Sequence, residues 1–397
     1  MVSNIKCGTE KGGALVGWFH RHALLLPVIV MASYYIGRGL GDTLQLFYLL
    51  CGLYSLRYMD LRPYRLPVIL FVLLLSLFLI SVFYPDFSSR SLKYWVLYGL
   101  SGMVMVFTVG TAGAIKSEAD YQCMAWITIA LLVGFITELG YFYFVINEFH
   151  PATQVNGMIL AALSPLVFFF TWNKRKYAGL AIALFYLFSL LFLMVADSRT
   201  ELLMLLMGGT LYLAFYLKRV MLLILLAPGI VVGTLLADNL MFSSQFITIQ
   251  GDLFLWLNHL SSQRLEIWGQ ALTHPPEHYL TGAGMHRSIE FLPQLGYVKH
   301  LHNIFIEIWY ETGLLGLLSY LALIYSLLWR LPRAYHLLEG VDRKIYSALF
   351  ASGIAALIGG FLDKGYLHPL ARYYMLFCFS VLYIMASGKQ QGKEVAL

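Results

Sequence analysis

The sequence predicts an all-α polytopic membrane protein of about 12 transmembrane helices with one large loop on the outer side, and three observations carry that prediction. Hydrophobic residues make up 59% of the 397 and charged residues only 12%, so little of the chain is suited to an aqueous surface. Apolar runs recur at lengths that approach or reach the roughly 20 residues a helix needs to cross a bilayer. Lysine and arginine gather in alternate connections, as expected when positively charged loops stay on the cytoplasmic side.

The first two predicted spans are Ala23 to Gly37 and Thr43 to Leu56. The segment before them is polar up to Gly13 and lacks a cleavage-site pattern, so no removable signal peptide is expected. Leu66 to Tyr84 and Tyr94 to Ile115 follow, separated by a stretch that carries Arg90 and Lys93. Met124 to Ile146 and Val155 to Trp172 come next, and Lys174, Arg175 and Lys176 close the sixth span. Tyr177 to Ala196, Glu201 to Leu217 and Val220 to Ala237 complete the first nine. The last three are Asn303 to Trp329, Tyr346 to Leu362 and Ala371 to Ala386. With the N-terminus inside, 18 of the 27 lysines and arginines fall on the inner side and both termini are cytoplasmic. The outer nine are Arg38, Arg90, Lys93, Arg199, Arg264, Arg287, Lys299, Lys364 and Arg372. Topology thus explains most of the net charge of +6, which argues for no nucleic-acid partner. Cys7, Cys51, Cys123 and Cys378 show no paired spacing and imply neither a disulfide framework nor a zinc motif.

Most connections are short, as for antiparallel neighbours, but Asp238 to His302 runs for about 65 residues. The chain therefore divides into an N-terminal bundle (1–237), an outer loop (238–302) and C-terminal transmembrane helices with a cytoplasmic tail (303–397). In the loop, Leu253, Phe254, Trp256 and Leu257 form an apolar patch, and Ser261 and Ser262 suit a helix N-cap. Leu265, Trp268 and Leu272 then share one helical face until Pro275 and Pro276 end the pattern. This predicts one or two short helices on the membrane surface, with a tight turn at Gly282-Ala-Gly284 before the descent near Tyr297.

Three charged residues on the outer side carry the chemistry. Arg199 sits in a turn so short that two spans hold it at the membrane surface, Arg264 lies near the start of the surface helix, and His302 closes the loop. Either arginine alone is readily explained by snorkelling to headgroups; all three residues together point to function. A guanidinium keeps its charge and makes paired hydrogen bonds to phosphate oxygens, and an imidazole accepts a proton from a hydroxyl. Group transfer from a phosphate-linked donor is the chemistry these side chains suit. His300 and His302, with His274, His278 and His286 nearby, leave a metal site open, but no HExxH, Asp-x-Asp pair or outer carboxylate cluster supports one. No GxSxG elbow or Walker loop is present.

His302-Asn303, followed after nine residues by Gly313-x-x-Gly316, is preceded by Arg264-x-x-x-Trp268-x-x-Ala-Leu272, His274-Pro275 and Gly282-x-Gly284. With the late periplasmic loop, this order resembles the O-antigen ligase and polymerase superfamily, most sharply from Arg199 to Gly316 and more weakly from Asp363 to Arg372. Within it, the Ser-Arg after the seventh span, the loop-helix arginine and Leu-His-Asn are most similar to lipopolysaccharide O-antigen ligases. The resemblance implies a GT-C-like glycosyltransferase of the bacterial inner membrane, active at the periplasmic face. Such a ligase transfers O-antigen from undecaprenyl diphosphate to lipid A-core and takes no cofactor. It also implies that Arg199, Arg264 and His302 are catalytic, with the arginines on the diphosphate and His302 as base in a metal-free inverting transfer. Arg199, Arg264, Asn303, Asp363 and Arg372 are the candidate substrate-binding residues. Asp363 matches an acidic position of the family but is followed here by Lys364, which leaves its role open between acceptor site and paired structural charge. Asn303 either orients the imidazole or caps the helix, and its preference for N-caps favours capping. Gly313 and Gly316 are expected to let a neighbouring helix approach. A polymerase of the same superfamily is the nearest alternative, and a lipid-linked sugar transporter, expected to show repeated halves, is a more distant one.

Overall fold

A bilayer offers no water to backbone groups, so a chain this apolar satisfies them within helices. The computed structural model describes residues 9–57, 65–83, 89–100, 102–104, 118–142, 145, 152–173, 177–196, 198–219, 226, 229, 233, 258, 261, 263–284, 301–329, 331, 335–336, 338–362 and 369–394. Every regular element among them is helical. In chain order they are α1 (Thr9–Arg21), α2 (Leu25–Ile36), α3 (Arg38–Leu56), α4 (Arg65–Phe83), α5 (Ser89–Tyr94), which continues as a π-helix (Trp95–Leu100), and α6 (Glu118–Tyr141). Next come α7 (Ala152–Leu163), continuing as a 3-10 helix (Ser164–Asn173), then α8 (Ala178–Val195), α9 (Arg199–Tyr216) and α10 (Arg264–Thr273). The last three are α11 (Ile304–Leu328), α12 (Gly340–Leu362) and α13 (Pro369–Glu394).

Five of these, α4, α6, α8, α11 and α12, are long and apolar enough to cross a membrane, and three shorter apolar stretches, Leu25–Ile36, Asn156–Phe170 and Tyr374–Ala386, accompany them. The protein is a multi-pass membrane protein. Most of the predicted fourth span and nearly all of the ninth, Val220 to Ala237, lie outside the described residues, as does most of the loop. The helix α1 was not expected from its polar sequence. It forms because Val16 and Phe19 are buried, with the Phe19 ring 5.3 Å from Tyr48 of α3.

At the centre stands α12, whose buried face is built from Ala348, Ala351, Ser352, Ala355, Ala356 and Gly359. Small residues let neighbours approach closely where lipid supplies no hydrophobic drive between helices. A Cβ at Gly353 would lie 2.9 Å from the Phe379 ring of α13, and one at Gly208 of α9 would lie 3.5 Å from Ala355. The Ser352 hydroxyl joins three elements: it donates to the Ala162 carbonyl (2.5 Å) and pairs with the Tyr374 hydroxyl at 2.8 Å. On the other flank α11 packs along α4.

Candidate functional site

The turn between α8 and α9 is closed by backbone bonds, from Ala196 N–H to Phe192 O (3.0 Å) and from Ser198 N–H to Leu193 O (3.1 Å). Arg199 is consequently the first residue of α9 and Thr200 the second, at the end of the helix where N–H groups lack intrahelical partners. Arg264 likewise opens α10. Its helix is started by Asn258, whose side-chain oxygen accepts from Glu266 N–H (3.0 Å), and by Ser261, whose hydroxyl accepts from Leu265 N–H (3.3 Å). The N-cap position itself is held by Gln263 in a left-handed backbone with no side-chain cap bond, rather than by the expected serines, and Asn258 was not anticipated.

The guanidinium of Arg264 reaches α9, where Nη1 donates to Thr200 Oγ1 at 3.0 Å. One hydrogen bond thus brings together the helix starts that carry Arg199 and Arg264, which lie 65 positions apart in the chain. The third predicted residue is tied in through α10, because Trp268 Nε1 donates to the Leu301 carbonyl at 3.0 Å, immediately before His302. Asn303 caps α11, its Oδ1 accepting from Phe305 N–H (2.9 Å) and Ile306 N–H (3.2 Å). His302, half-buried, takes a left-handed backbone (φ 49°) to make the turn into that cap. The starts of α9 and α10 therefore meet through a side-chain bond, and the middle of α10 is tied to the chain just before α11; the partial positive charge at the starts of α9 and α10 adds to that of the guanidinium of Arg264. The arrangement suits an anion that carries several oxygens. The end of α12 joins the group, with the Phe361 ring 5.6 Å from Trp268 and 6.0 Å from Phe305.

What holds the loop against α11 differs from the expectation. Gly313 does not admit a neighbouring helix; with φ 68° and ψ −171° it interrupts α11, and the freed carbonyls turn to the loop. Ala283 N–H donates to Tyr310 O (2.8 Å) and Gly284 N–H to Glu311 O (3.2 Å), while Leu314 N–H donates to Tyr279 O (3.0 Å). The approach is so close that a Cβ on Gly282 would overlap the Glu311 carbonyl, and one on Gly313 the Leu280 carbonyl. Gly316 makes room within its own helix for the Thr312 side chain, whose hydroxyl bonds back to Ile308 O at 2.7 Å. Tyr310 adds a bond from its hydroxyl to His274 O (2.9 Å), and Ser81 of α4 donates to Glu311 O (3.0 Å). Around this clasp Ile267, Ala271, Ala283, Leu301, Trp309 and Tyr310 form a small core of their own. The buried stripe of α10 is thus Ile267 and Ala271 with Trp268, and Leu272, expected on that face, is 60% exposed. Contact with α11, rather than the periodicity of large residues, decides which side of α10 is covered.

Asp363 lies outside the described residues, as do His286 and His300. Arg372 falls in the first turn of α13. Among the described residues no three His, Cys, Asp or Glu side chains come together as a metal-binding group. Three acids that the sequence reading passed over are buried in α9 and α11: Glu201, Glu307 and Glu311 are 3, 3 and 4% exposed. The signal was present, since a carboxylate in an apolar run is costly and marks either structure or function. Farther along α7, Asn156 Nδ2 donates to Glu138 Oε2 of α6 at 2.7 Å, and the Glu201 side chain packs beside Gly157.

Residues 184–321 match the family described as O-Antigen ligase. The matched segment runs from within α8 through α9 and α10 to beyond the Gly313 break, so it contains Arg199, Arg264, His302 and the whole clasp. No match was found among curated proteins. The helix starts joined by Arg264 and Trp268 therefore lie in a segment of this multi-pass membrane protein, residues 184–321, that matches the O-antigen ligase family.

Proposed function

We propose that the chain is an O-antigen ligase, which transfers O-antigen polysaccharide from undecaprenyl diphosphate to lipid A-core at the periplasmic face of the inner membrane. The observation that carries this reading is the bond from Arg264 to Thr200, which sets two arginines at adjoining helix starts next to the chain segment that bears His302. In this reading the twelve spans and the three-part division at residues 237 and 302 put all three helix starts on the periplasmic side.

Arg199 and Arg264 hold the diphosphate, with the N-termini of α9 and α10 beside the same charge. His302 takes the proton of the acceptor hydroxyl as that oxygen attacks the anomeric carbon from the face opposite the diphosphate. The C–O bond to the diphosphate breaks with inversion, and the arginines stabilise the charge that gathers on the leaving group. Asn303 contributes through its cap, which holds the His302 turn, and Asp363 and Arg372 remain candidate substrate-binding residues. No metal ion takes part, so the purified protein is expected to ligate in the presence of EDTA.

Deletion in a host that makes smooth lipopolysaccharide tests the reading. A ligase leaves lipid A-core bare while lipid-linked polymer accumulates. Accumulation of single lipid-linked repeat units would instead assign the chain to the polymerases of the superfamily.

A further inference from the structure

A second polar cluster lies in another part of the molecule, where α3 meets α5. Lys93 Nζ donates to Asp42 Oδ2 at 3.1 Å, and the Tyr34 hydroxyl of α2, with one proton to donate, lies 2.9 Å from Asp42 Oδ1 and 2.5 Å from Gln45 Oε1. Asp42 is thereby held in place, while the Lys93 side chain remains 56% exposed. The pair stands at the rim of a cleft of about 540 Å³ whose wall is formed by Leu46, Leu92 and Val96, with Ser89 beside them. Leu46 lies one helical turn beyond Asp42 on α3, and Val96 belongs to the π-helical continuation of α5. π-Helical turns are uncommon and recur at functional positions. In the twelve-span reading proposed above, on which this inference rests, the cleft passes from charged groups near the starts of α3 and α5 to an apolar wall within the second and fourth spans. An exposed ion pair contributes only about 0–1 kcal/mol by itself, so stability alone is a weak reason for placing one here.

Charge complementarity selects the occupant. A simple anion drawn to Lys93 meets the Asp42 carboxylate, and a simple cation drawn to Asp42 meets the ammonium of Lys93. A zwitterion satisfies both. We infer that this cleft binds a phospholipid with a phosphate and a primary amine in its headgroup, phosphatidylethanolamine, with its phosphate on Lys93, its ammonium on Asp42 and its first methylenes along Leu46, Leu92 and Val96. A choline headgroup has the same charges but no N–H to donate to the carboxylate, and a glycerol headgroup has no cation. The site is independent of the transfer chemistry.

Photo-cross-linking of the full-length protein in nanodiscs tests the inference, with a phosphatidylethanolamine probe bearing a diazirine on its acyl chain. The expected adducts map to the peptides that contain Leu46 and Leu92 to Val96. Unlabelled phosphatidylethanolamine should compete for them at concentrations where phosphatidylcholine and phosphatidylglycerol do not. Asp42→Asn and Lys93→Gln should each lower the yield at these peptides by about tenfold, the change expected on losing one charge-assisted hydrogen bond. The headgroup series uses the unaltered protein, so it decides the question even where a variant folds poorly. Absence of adducts at these peptides, equal competition by phosphatidylglycerol or phosphatidylcholine, or unchanged yields in well-folded variants would each overturn the assignment.

Discussion

The bundle around α12 and the clasp around α11 solve opposite problems with the same residue type. In the bundle, Gly208, Gly353 and Gly359 keep a helical backbone and remove a side chain, so that another helix can come near. In the clasp, Gly282 and Gly313 take positive φ (78° and 68°), so that one backbone can hydrogen-bond directly to another. The first arrangement is held by side-chain packing spread over many contacts, the second by a handful of directional bonds and the small core around Trp309 and Tyr310. Damage to the bundle should therefore be shared and gradual, whereas damage to the clasp should be local and should fall on the transfer reaction.

The largest expected effect tests that division by chemistry. His302→Ala should lower the ligation rate about 10²–10⁴-fold, the usual cost of a lost general base, with donor affinity nearly intact. Ser352→Ala, which removes a buried bond in the bundle, should instead lower the amount of folded protein and leave the rate per folded molecule unchanged. Ligation and donor binding at matched expression distinguish the two, and normal ligation by His302→Ala would remove the assignment of the base.

Arg199→Lys and Arg264→Lys sharpen the comparison. Lysine keeps the charge but loses the planar fork, so each should weaken donor use by about tenfold or more, seen as a higher KM for the lipid-linked donor. Because Arg264 also bonds Thr200, Thr200→Val should reproduce part of the Arg264 effect. If it changes nothing, the bond does not position the guanidinium for donor binding.

A smaller effect is expected for Gly313→Ala, where the new Cβ meets the Leu280 carbonyl in a strained backbone. Strain of this kind costs about 1–3 kcal/mol, so amide exchange in residues 279–284 should accelerate roughly 5- to 150-fold while α12 keeps its protection. Gly353→Ala should do the reverse, because its Cβ crowds the Phe379 ring within the bundle. The smallest effect belongs to Asn303→Ala. Loss of its two cap bonds costs roughly 1 kcal/mol of local stability, and Asn303→Asp should recover most of it.

How much of this was legible follows from the range over which each feature is determined. The start and end of α11 could be read because Asn303 is a local cap and the run from Ile304 to Leu328 is predominantly apolar. The end of α10 could be read because Pro275 and Pro276 follow it directly. The meaning of Gly313 could not, since a glycine within an apolar run reads the same whether it admits a helix or breaks one. The buried face of α10 was misjudged for a related reason: Leu272 is the larger apolar residue, yet Ala271 is the one that faces α11. The acids Glu201, Glu307 and Glu311 were not legible as a group, because they come from two helices far apart in the chain and form no local motif.

By itself the sequence determined the helical class, the multi-pass character and the three side chains on which the transfer proposal rests. Each of these is a matter of composition, of local pattern or of a short motif. Only the tertiary structure decided that Arg264 reaches Thr200, that Trp268 holds the chain next to His302, and that Gly282 and Gly313 bring two backbones into hydrogen-bonding contact. These contacts join residues tens of positions apart, and their existence depends on where three helices start relative to one another, a geometry set by the packing of the whole bundle rather than by any single stretch of chain.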